Sequence, residues 1–213
     1  MSNVINCGDA RRGSESVSVF VKICGLSEVN HVDAAIAAGA DAVGFVFAKS
    51  VRQIAPERAA ALCVGVPAHV KRVAVMLHPT NDEWQNVLAG FSPNVLQTDA
   101  EDFASLDVPD SIERWGVYRE GGRRVETNGR YVYEGAKSGQ GETVDWSLAA
   151  SIAKHGDMVL AGGLAASNIA EAIATVRPYG VDVSSAVESA PGKKDCLLIS
   201  EFVSAVRAAE KNL

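Results

Sequence analysis

Short runs of β-branched and aliphatic residues alternate with longer helical patterns along the chain from Val17 onward. Several of the runs are apolar on both faces, as in 42–47 and 158–160. Strands buried on both faces are typical of parallel sheets that are covered by helices. The strand candidates are 17–24, 42–47, 71–76, 94–97, 113–118, 130–134, 157–161 and 180–184. Eight such units with a final helix favour an α/β fold, a closed (β/α)8 TIM barrel, over an open doubly wound sheet.

Helix candidates lie between the strands, and several have recognisable ends. Ser27 is expected to cap a helix over 28–38 that Gly39 ends. Thr80 precedes Glu83 by three residues, which is the spacing of a capping box. Further helices are predicted over 56–64, 81–89, 146–155, 168–176 and 195–209, with Pro56, Asp145 and Ser167 at three of the starts.

Two connections lack a clear helical pattern. Segment 99–106 offers about two helical turns, and 119–129 resembles a loop or hairpin where the helix after strand five would lie. The chain has 213 residues, enough for one substantial core. We therefore predict a single barrel domain over 17–213 with a weak or missing helix after strand five. A polar, disordered tail is expected over 1–16.

Composition and charge argue against several classes of protein. A formal net charge of −6 without a basic run argues against nucleic acid or an anionic membrane as the main partner. No stretch approaches the roughly 18 apolar residues of a membrane-spanning helix. The four cysteines form no C-x-x-C pair and the histidines show no ligand spacing, so no metal site and no disulfide scaffold is expected. We infer free thiols in a reducing cytoplasm.

Cys24 lies at the expected C-terminal end of strand one, just before Gly25. Alternation puts Lys22 on the same face, one layer deeper in a barrel. A nearby ammonium lowers the pKa of a thiol, which suits proton transfer; the alternative, a small buried apolar residue, stays open. Because strands one and eight are neighbours in a closed barrel, Lys22 is expected to pair with Asp182, more as a structural pair than a catalytic one.

Two glycine- or serine-containing turns follow strands seven and eight. Gly162 and Gly163 come after the first, and Ser184, Ser185 and Ala186 come after the second. Backbone N–H groups in such loops can converge on a dianion, and these two loops are the recurrent phosphate site of barrel enzymes. Either loop alone would be read as a turn, but together they predict a phosphate cradle.

Two charged residues follow other strands. Arg52, after strand two, is suited to a planar carboxylate, and Glu134, at the end of strand six, is suited to general acid catalysis. The alternatives are a solvated loop cation for Arg52 and a surface glutamate at a turn for Glu134. The glycine-rich segment 138–143 is not a Walker loop, because no Gly-Lys-Ser/Thr follows at the required spacing.

Taken together, these motifs resemble those of the phosphoribosylanthranilate isomerase family. They are, in chain order, 21–27, 39–47, 50–52, 139–146, 160–164, 181–188 and 191–195. The resemblance implies a (β/α)8 barrel enzyme of tryptophan biosynthesis that needs no cofactor. Its reaction would be the Amadori rearrangement of N-(5-phosphoribosyl)anthranilate to 1-(2-carboxyphenylamino)-1-deoxyribulose 5-phosphate. The partner would be a small phosphorylated substrate, and the protein a monomer or homodimer.

The resemblance also assigns roles to residues. Cys24 falls on the position of the catalytic base, and Arg52 on the position that holds the anthranilate carboxylate. Asp182 is expected to be a substrate-binding residue. The phosphate loops correspond to Gly162, Gly163, Ser185 and Ala186.

The chain departs from the family pattern at three places. The usual acid is an aspartate at the end of strand six, where this chain has Glu134, so we predict Glu134 as the acid. After strand four, Thr98-Asp99-Ala100 replaces the usual leucine-histidine-glycine. Ala186 replaces the usual glycine after the serine pair, and it would be strained if its backbone required a positive φ.

These departures leave two alternatives open. A barrel that has lost catalysis and only binds a phosphorylated ligand would account for the replacements, although the retained Cys24 and Arg52 argue against it. An isomerase that also accepts the histidine-pathway substrate would have to hold two phosphates, whereas only one cradle is recognisable.

Overall fold

The protein is described by a computed structural model that covers residues 18–126, 129–136 and 144–213. Eight parallel strands form a closed barrel in which β8 pairs with β1, so the predicted (β/α)8 fold is confirmed. The strands are β1 (Phe20–Cys24), β2 (Ala42–Val46), β3 (Lys71–Val75), β4 (Val95–Asp99), β5 (Glu113–Arg119), β6 (Arg130–Glu134), β7 (Asp157–Leu160) and β8 (Gly180–Val183). The predicted tail over 1–16 and the glycine-rich segment 138–143 lie outside the described residues.

Helices cover the outside of the barrel. They are α1 (Val29–Ala38), α2 (Pro56–Leu62), α3 (Asn81–Phe91), α4 (Trp146–Ile152), α5 (Ile169–Val176) and α6 (Cys196–Glu210). Between β4 and β5 there is only the short 3-10 turn Asp102–Ala104, where two helical turns were expected. The described residues between β5 and β6, which are 120–126 and 129, contain no helix, as the sequence predicts.

The predicted N-caps are found at the helices where the side chain of the capping residue bonds to the first turn. Thr80 Oγ1 accepts from the backbone N–H of Glu83 at 3.2 Å, so the predicted capping box of α3 is confirmed. Asp145 accepts from two N–H groups at the start of α4. The caps predicted at Ser27 and Ser167 are wrong, because in both cases the next residue along the chain occupies the cap position and makes no side-chain cap.

Alternation along the strands divides the core into two parts. The larger part lies between the strands and the helices. The smaller part fills the barrel interior with Ala42, Val73, Val95, Trp115, Val117, Val132, Val159 and Ala161. Toward the C-terminal ends of the strands, polar side chains line a cavity instead, among them Cys24, Gln97, Asp99, Arg119, Glu134 and Asp182. The polar chemistry of the barrel is thus gathered at one mouth.

A loop after β8 completes this mouth. A 3-10 turn over Ser185–Val187 leads into a short antiparallel pair, β9 (Glu188–Ala190) and β10 (Lys193–Lys194). This hairpin brings Glu188 and Lys194 back toward the barrel. Within the described ranges, no helix has both the length and the apolar character needed to cross a bilayer.

Candidate active site

The cavity at the C-terminal ends of the strands has a volume of about 240 Å³. Side chains from every strand of the barrel, or from the loop that follows it, contribute to its wall. Seven of the eight site residues expected from the sequence line it: Cys24, Arg52, Glu134, Gly162, Gly163, Asp182 and Ser185. Ala186 does not line this cavity. The structure therefore places the expected chemistry in one site.

Cys24 lies in the wall of the cavity and is 6% exposed. Below it, Lys22 Nζ donates to Asp182 Oδ2 at 2.8 Å in a buried pair, as predicted from the neighbouring strands β1 and β8. Burial alone would lower the pKa of Lys22, but the charge and hydrogen bond of Asp182 outweigh it and raise that pKa. This direction favours the charged form of Lys22 beneath the thiol.

Burial changes the pKa of the Cys24 thiol more than the Lys22 ammonium does. Desolvation raises the pKa of Cys24 above its ordinary value of 9.0, and the Lys22 ammonium opposes that rise without cancelling it. The expectation of a lowered thiol pKa is therefore wrong in its net direction. The sequence shows the cation two residues away, but it does not show how completely the barrel buries the sulfur.

Two glycines let the walls of the site approach each other. Gly25 has a φ of +79°, and a Cβ there would lie 2.7 Å from Cδ of Arg52. A Cβ on Gly44 would lie 3.2 Å from Sγ of Cys24. Larger residues at either position would push the thiol or the arginine out of place.

Arg52 is held by a carboxylate that the sequence reasoning did not assign. Its Nε and Nη2 donate to the two oxygens of Glu188 at 2.6 and 2.9 Å. Lys194 Nζ and the N–H of Gly192 also donate to Glu188, at 2.6 and 3.1 Å. Burial would raise the pKa of Glu188, but these hydrogen bonds outweigh it and lower the pKa to about 2. One edge of Arg52 is thus fixed while the residue lines the cavity.

The two predicted phosphate loops meet at the cavity wall. Gly162 and Gly163 both have positive φ, at 88° and 62°. Among the described residues, the backbone N–H groups of Gly162 and Gly163 donate no backbone hydrogen bond. Free N–H groups in such a loop suit a phosphate, and Ser185 of the neighbouring loop lines the same cavity.

Ala186 tests one expectation directly. It lies inside the 3-10 turn and is not among the residues with positive φ, so the strain that would follow from a left-handed backbone is not present. An ammonium lies beside this turn, since Lys194 Nζ donates to the backbone oxygen and hydroxyl of Ser184 at 2.9 and 3.1 Å. Lys194 thereby joins the turn to Glu188, although burial lowers the pKa of its ammonium below the usual value.

Glu134 lies at the end of β6, with its side chain 13% exposed. Its carboxylate oxygen is 3.1 Å from Nε of Arg119, and Arg119 in turn donates to Asp99 at 2.7 Å. Glu134 is therefore part of a charged group at the mouth and not the isolated surface glutamate of the alternative reading.

Sequence reasoning missed three side chains that build the site. Arg119 lies two residues after the inward-facing Val117, so strand alternation carried one residue further would have found it. Glu188 and Lys194 reach the site only through the turn and hairpin after β8. The contact of Glu188 with Arg52, 136 residues away, and that of Lys194 with Glu188 have no local signal in the sequence.

Comparison with known proteins gives concordant results. A family model described as N-(5'-phosphoribosyl)anthranilate (PRA) isomerase matches residues 21–205. Among curated proteins, the N-(5'-phosphoribosyl)anthranilate isomerase of Chromohalobacter salexigens is 41% identical over 87% of this chain and 93% of its own. That of Listeria welshimeri is 35% identical over 90% and 100%.

Solved structures give the same result. A phosphoribosyl anthranilate isomerase in complex with reduced 1-(o-carboxyphenylamino)-1-deoxyribulose 5-phosphate aligns with a TM-score of 0.74 and 31% identity. The alignment covers 89% of this chain and 99% of that one. The likeness therefore extends over the barrel as a whole and is not confined to one motif.

Proposed function

The chain belongs to the N-(5'-phosphoribosyl)anthranilate isomerase family, and on that premise we propose how its cavity carries out the family's reaction. The reaction is the Amadori rearrangement of N-(5'-phosphoribosyl)anthranilate to 1-(2-carboxyphenylamino)-1-deoxyribulose 5-phosphate in tryptophan biosynthesis. Cys24 is the base and Glu134 is the acid. Arg52 and the loops after β7 and β8 hold the two anionic ends of the substrate.

The two ends of the substrate differ in shape and charge, and so do the two parts of the cavity that would bind them, which are the phosphate loops and Arg52. The phosphate is a dianion with several acceptor oxygens, which suits the backbone N–H groups of the two loops and the nearby Lys194 side chain. The anthranilate carboxylate is planar, which suits the guanidinium of Arg52. Because Glu188 fixes one edge of Arg52, the carboxylate would meet an oriented group. Binding both ends places the sugar between Cys24 and Glu134.

The chemistry proceeds by two proton transfers. Glu134 gives a proton to the ribose ring oxygen, the C1–O bond breaks, and the nitrogen lone pair forms a protonated imine at C1. Cys24, as thiolate, then removes the proton from C2, and the electron pair moves to give a neutral enolamine. Tautomerisation of the enolamine at C1 and C2 yields the ketone. Both transfers are ordinary general acid–base steps and need no cofactor.

The buried cation explains how a thiol with a raised pKa can serve as base. Only a minor fraction of Cys24 is thiolate at neutral pH, because burial disfavours the charged sulfur. Lys22, which Asp182 keeps protonated, stabilises the thiolate that does form. A buried thiolate is also weakly solvated and is therefore a stronger base toward carbon.

One observation carries this assignment. A sulfur from the first strand and a carboxyl from the sixth line the same cavity as the cradle and Arg52. A protein that only bound a phosphorylated ligand would need the cradle but neither the thiol nor the carboxyl at the mouth.

The assignment of the acid is tested by Glu134→Gln, with turnover followed as the loss of anthranilate fluorescence. Removing the general acid should lower kcat by about 10²-fold or more, while the affinity for reduced 1-(o-carboxyphenylamino)-1-deoxyribulose 5-phosphate stays close to that of the wild type. Glu134→Asp, which keeps a carboxyl, is the matched control and should retain more activity than the glutamine variant. Near-normal turnover in Glu134→Gln would move the acid to another carboxyl, with Asp182 next.

Two broader properties belong to the same proposal. We infer a cytoplasmic protein, supported by the free thiols of Cys24, Cys63 and Cys196 in the described chain. We also infer a monomer or homodimer, which light scattering of the purified protein would distinguish.

A further inference from the structure

Three consecutive strands of the barrel end in charged residues that face the cavity. Asp99 ends β4, Arg119 ends β5 and Glu134 ends β6. In the sheet register Arg119 lies directly opposite Glu134, and Asp99 lies opposite Val117, two residues before Arg119. The arginine is on the middle strand, so it can contact both neighbouring carboxylates.

The two contacts of Arg119 differ in kind. Its Nη1 donates a hydrogen bond to Asp99 Oδ2 at 2.7 Å, and Asp99 is 4% exposed at its side chain. Its Nε lies 3.1 Å from Glu134 Oε1 as an ion pair. The hydrogen bond of Asp99 outweighs burial and raises the pKa of Arg119, so the guanidinium stays charged. The buried aspartate thus aims the arginine, and the arginine holds the glutamate by charge.

Glutamate needs such support if it is to deliver a proton to one atom. Its side chain has three rotatable torsions, so an unsupported carboxyl spreads over several positions. A general acid must lie within hydrogen-bond reach of the oxygen that it protonates. A guanidinium anchored on the adjacent strand restricts the carboxyl to the rotamers that face the cavity. It also stabilises the carboxylate that remains after the proton has left.

We propose that Arg119, anchored by Asp99, is a positioning residue that holds the Glu134 carboxyl in the orientation required for proton transfer. The inference rests on the proposed role of Glu134 as the acid. In it, Arg119 acts through Glu134 and not by binding the substrate, because its contacts are made to the two carboxylates that flank it.

The test is a double-mutant cycle with kcat and KM measured separately. Arg119→Met should lower kcat by about 10- to 100-fold, the cost of a misplaced catalytic group, with KM within about threefold of the wild type. Arg119→Lys keeps the charge and should recover part of the lost kcat. In the Glu134→Gln background, Arg119→Met should cause little further loss, because the group it positions is already gone.

Two further variants guard the interpretation. Arg123→Met removes a neighbouring, exposed arginine whose partner is Glu126, and it should leave kcat and KM unchanged. If Arg119→Met does not fold, Asp99→Asn supplies the same test from the other side of the ion pair, with a smaller loss of kcat and an unchanged KM.

Several outcomes would overturn the inference. If Arg119→Met raises KM, and if its loss of kcat/KM multiplies with that of Glu134→Gln in the double variant, Arg119 is a substrate ligand. A lower melting temperature with normal kcat per folded molecule would make it purely structural. Near-normal turnover of Glu134→Gln would remove the proposed acid and this inference together, whereas an inactive Glu134→Gln beside a fully active Arg119→Met would remove this inference alone.

Discussion

The two ends of the barrel each contain a partly buried arginine, and the groups around it differ. At the mouth, Arg119 lies between the carboxylates of Asp99 and Glu134 and faces a cavity. At the opposite, N-terminal end, the base of the barrel, Arg130 lies against the rings of Phe20, Trp115 and Tyr179, with Cζ 4.9, 5.3 and 4.3 Å from their centroids. Its Nη atoms also lie 3.8 Å from carboxylate oxygens of Glu113 and Asp157. The contacts at the base lie among packed side chains, whereas those at the mouth border a cavity.

Buried polar atoms without a hydrogen-bond partner among the described residues occur at both ends, at Nε of Arg130 and in the wall of the cavity. Asp182 Oδ1 and Gln97 Oε1 are buried in the cavity wall and accept no hydrogen bond from the described residues. An unsatisfied buried acceptor costs about 1–3 kcal/mol. A substrate with sugar hydroxyls could satisfy both acceptors. Under the proposed function, the residues at the mouth serve binding and chemistry, and those at the base hold the barrel closed.

The largest expected effect is at the mouth. Cys24→Ser should lower kcat by roughly 10³-fold, since a hydroxyl is a far weaker base than a thiolate, with little change in melting temperature. Cys196→Ser, which replaces a half-buried thiol outside the cavity, is the control and should keep full activity. The fluorescence assay and thermal melting measure both quantities. A serine variant with more than a tenth of normal activity would contradict the assignment of the base.

The next effect concerns binding at the mouth. Arg52→Lys should raise KM by about 10- to 100-fold, because an ammonium cannot contact a carboxylate and Glu188 in the same planar, bidentate way. Arg58→Lys, an exposed exchange on α2, should leave KM unchanged. An unchanged KM in Arg52→Lys would show that the carboxylate end of the substrate lies elsewhere.

The base of the barrel, around Arg130, should lose stability and keep activity, which is the reverse of the effects at the mouth. Arg130→Met removes the cation from three ring faces and a hydrogen bond of 2.6 Å to the Tyr179 hydroxyl. We expect a loss of about 1–2 kcal/mol in the free energy of unfolding, measured in urea, with kcat and KM unchanged. Lost activity at unchanged stability would break the proposed division between the two ends.

The last effect is the pH dependence of stability that Glu188 contributes. Its pKa is about 2 in the folded protein against an ordinary value of 4.5, so its contribution is present in full above 4.5 and is lost as the pH falls through 2. Between these values stability should fall with a slope of at most about 1.4 kcal/mol per pH unit from this group. Urea unfolding at pH 6, 4.5 and 3 should show a shallower fall for Glu188→Gln than for the exposed-site control Glu171→Gln.

The sequence predicts the barrel well because its signals are local. Runs such as 42–46 are apolar on both faces, and this pattern alone identifies a parallel strand. Closure of eight strands then makes β1 and β8 neighbours, which is why the Lys22–Asp182 pair could be predicted across 160 residues. The locations of Cys24, Arg52 and the two loops follow from the same rule, since each lies at the C-terminal end of a strand.

What could not be predicted depends on burial and on irregular loops. The pKa of Cys24 is raised because the barrel desolvates the sulfur, and no pattern in the sequence measures that. The Arg52–Glu188 pair depends on a 3-10 turn and a short hairpin that fold the chain back on itself. The sequence pattern predicts that strand five ends at residue 118, whereas the strand extends to Arg119, the residue that contacts Asp99 and Glu134.

The pairing of the first strand with the last also sets the order in which the ring can close while the chain is being made. Cys24 emerges from the ribosome early, but Asp182, Glu188 and Lys194 are among the later residues to appear. The hydrogen bond from Arg207 to the backbone oxygen of Val19, at 2.7 Å, forms later still. A nascent chain that lacks its final segment therefore has Lys22 without its partner Asp182 and Arg52 without its partner Glu188.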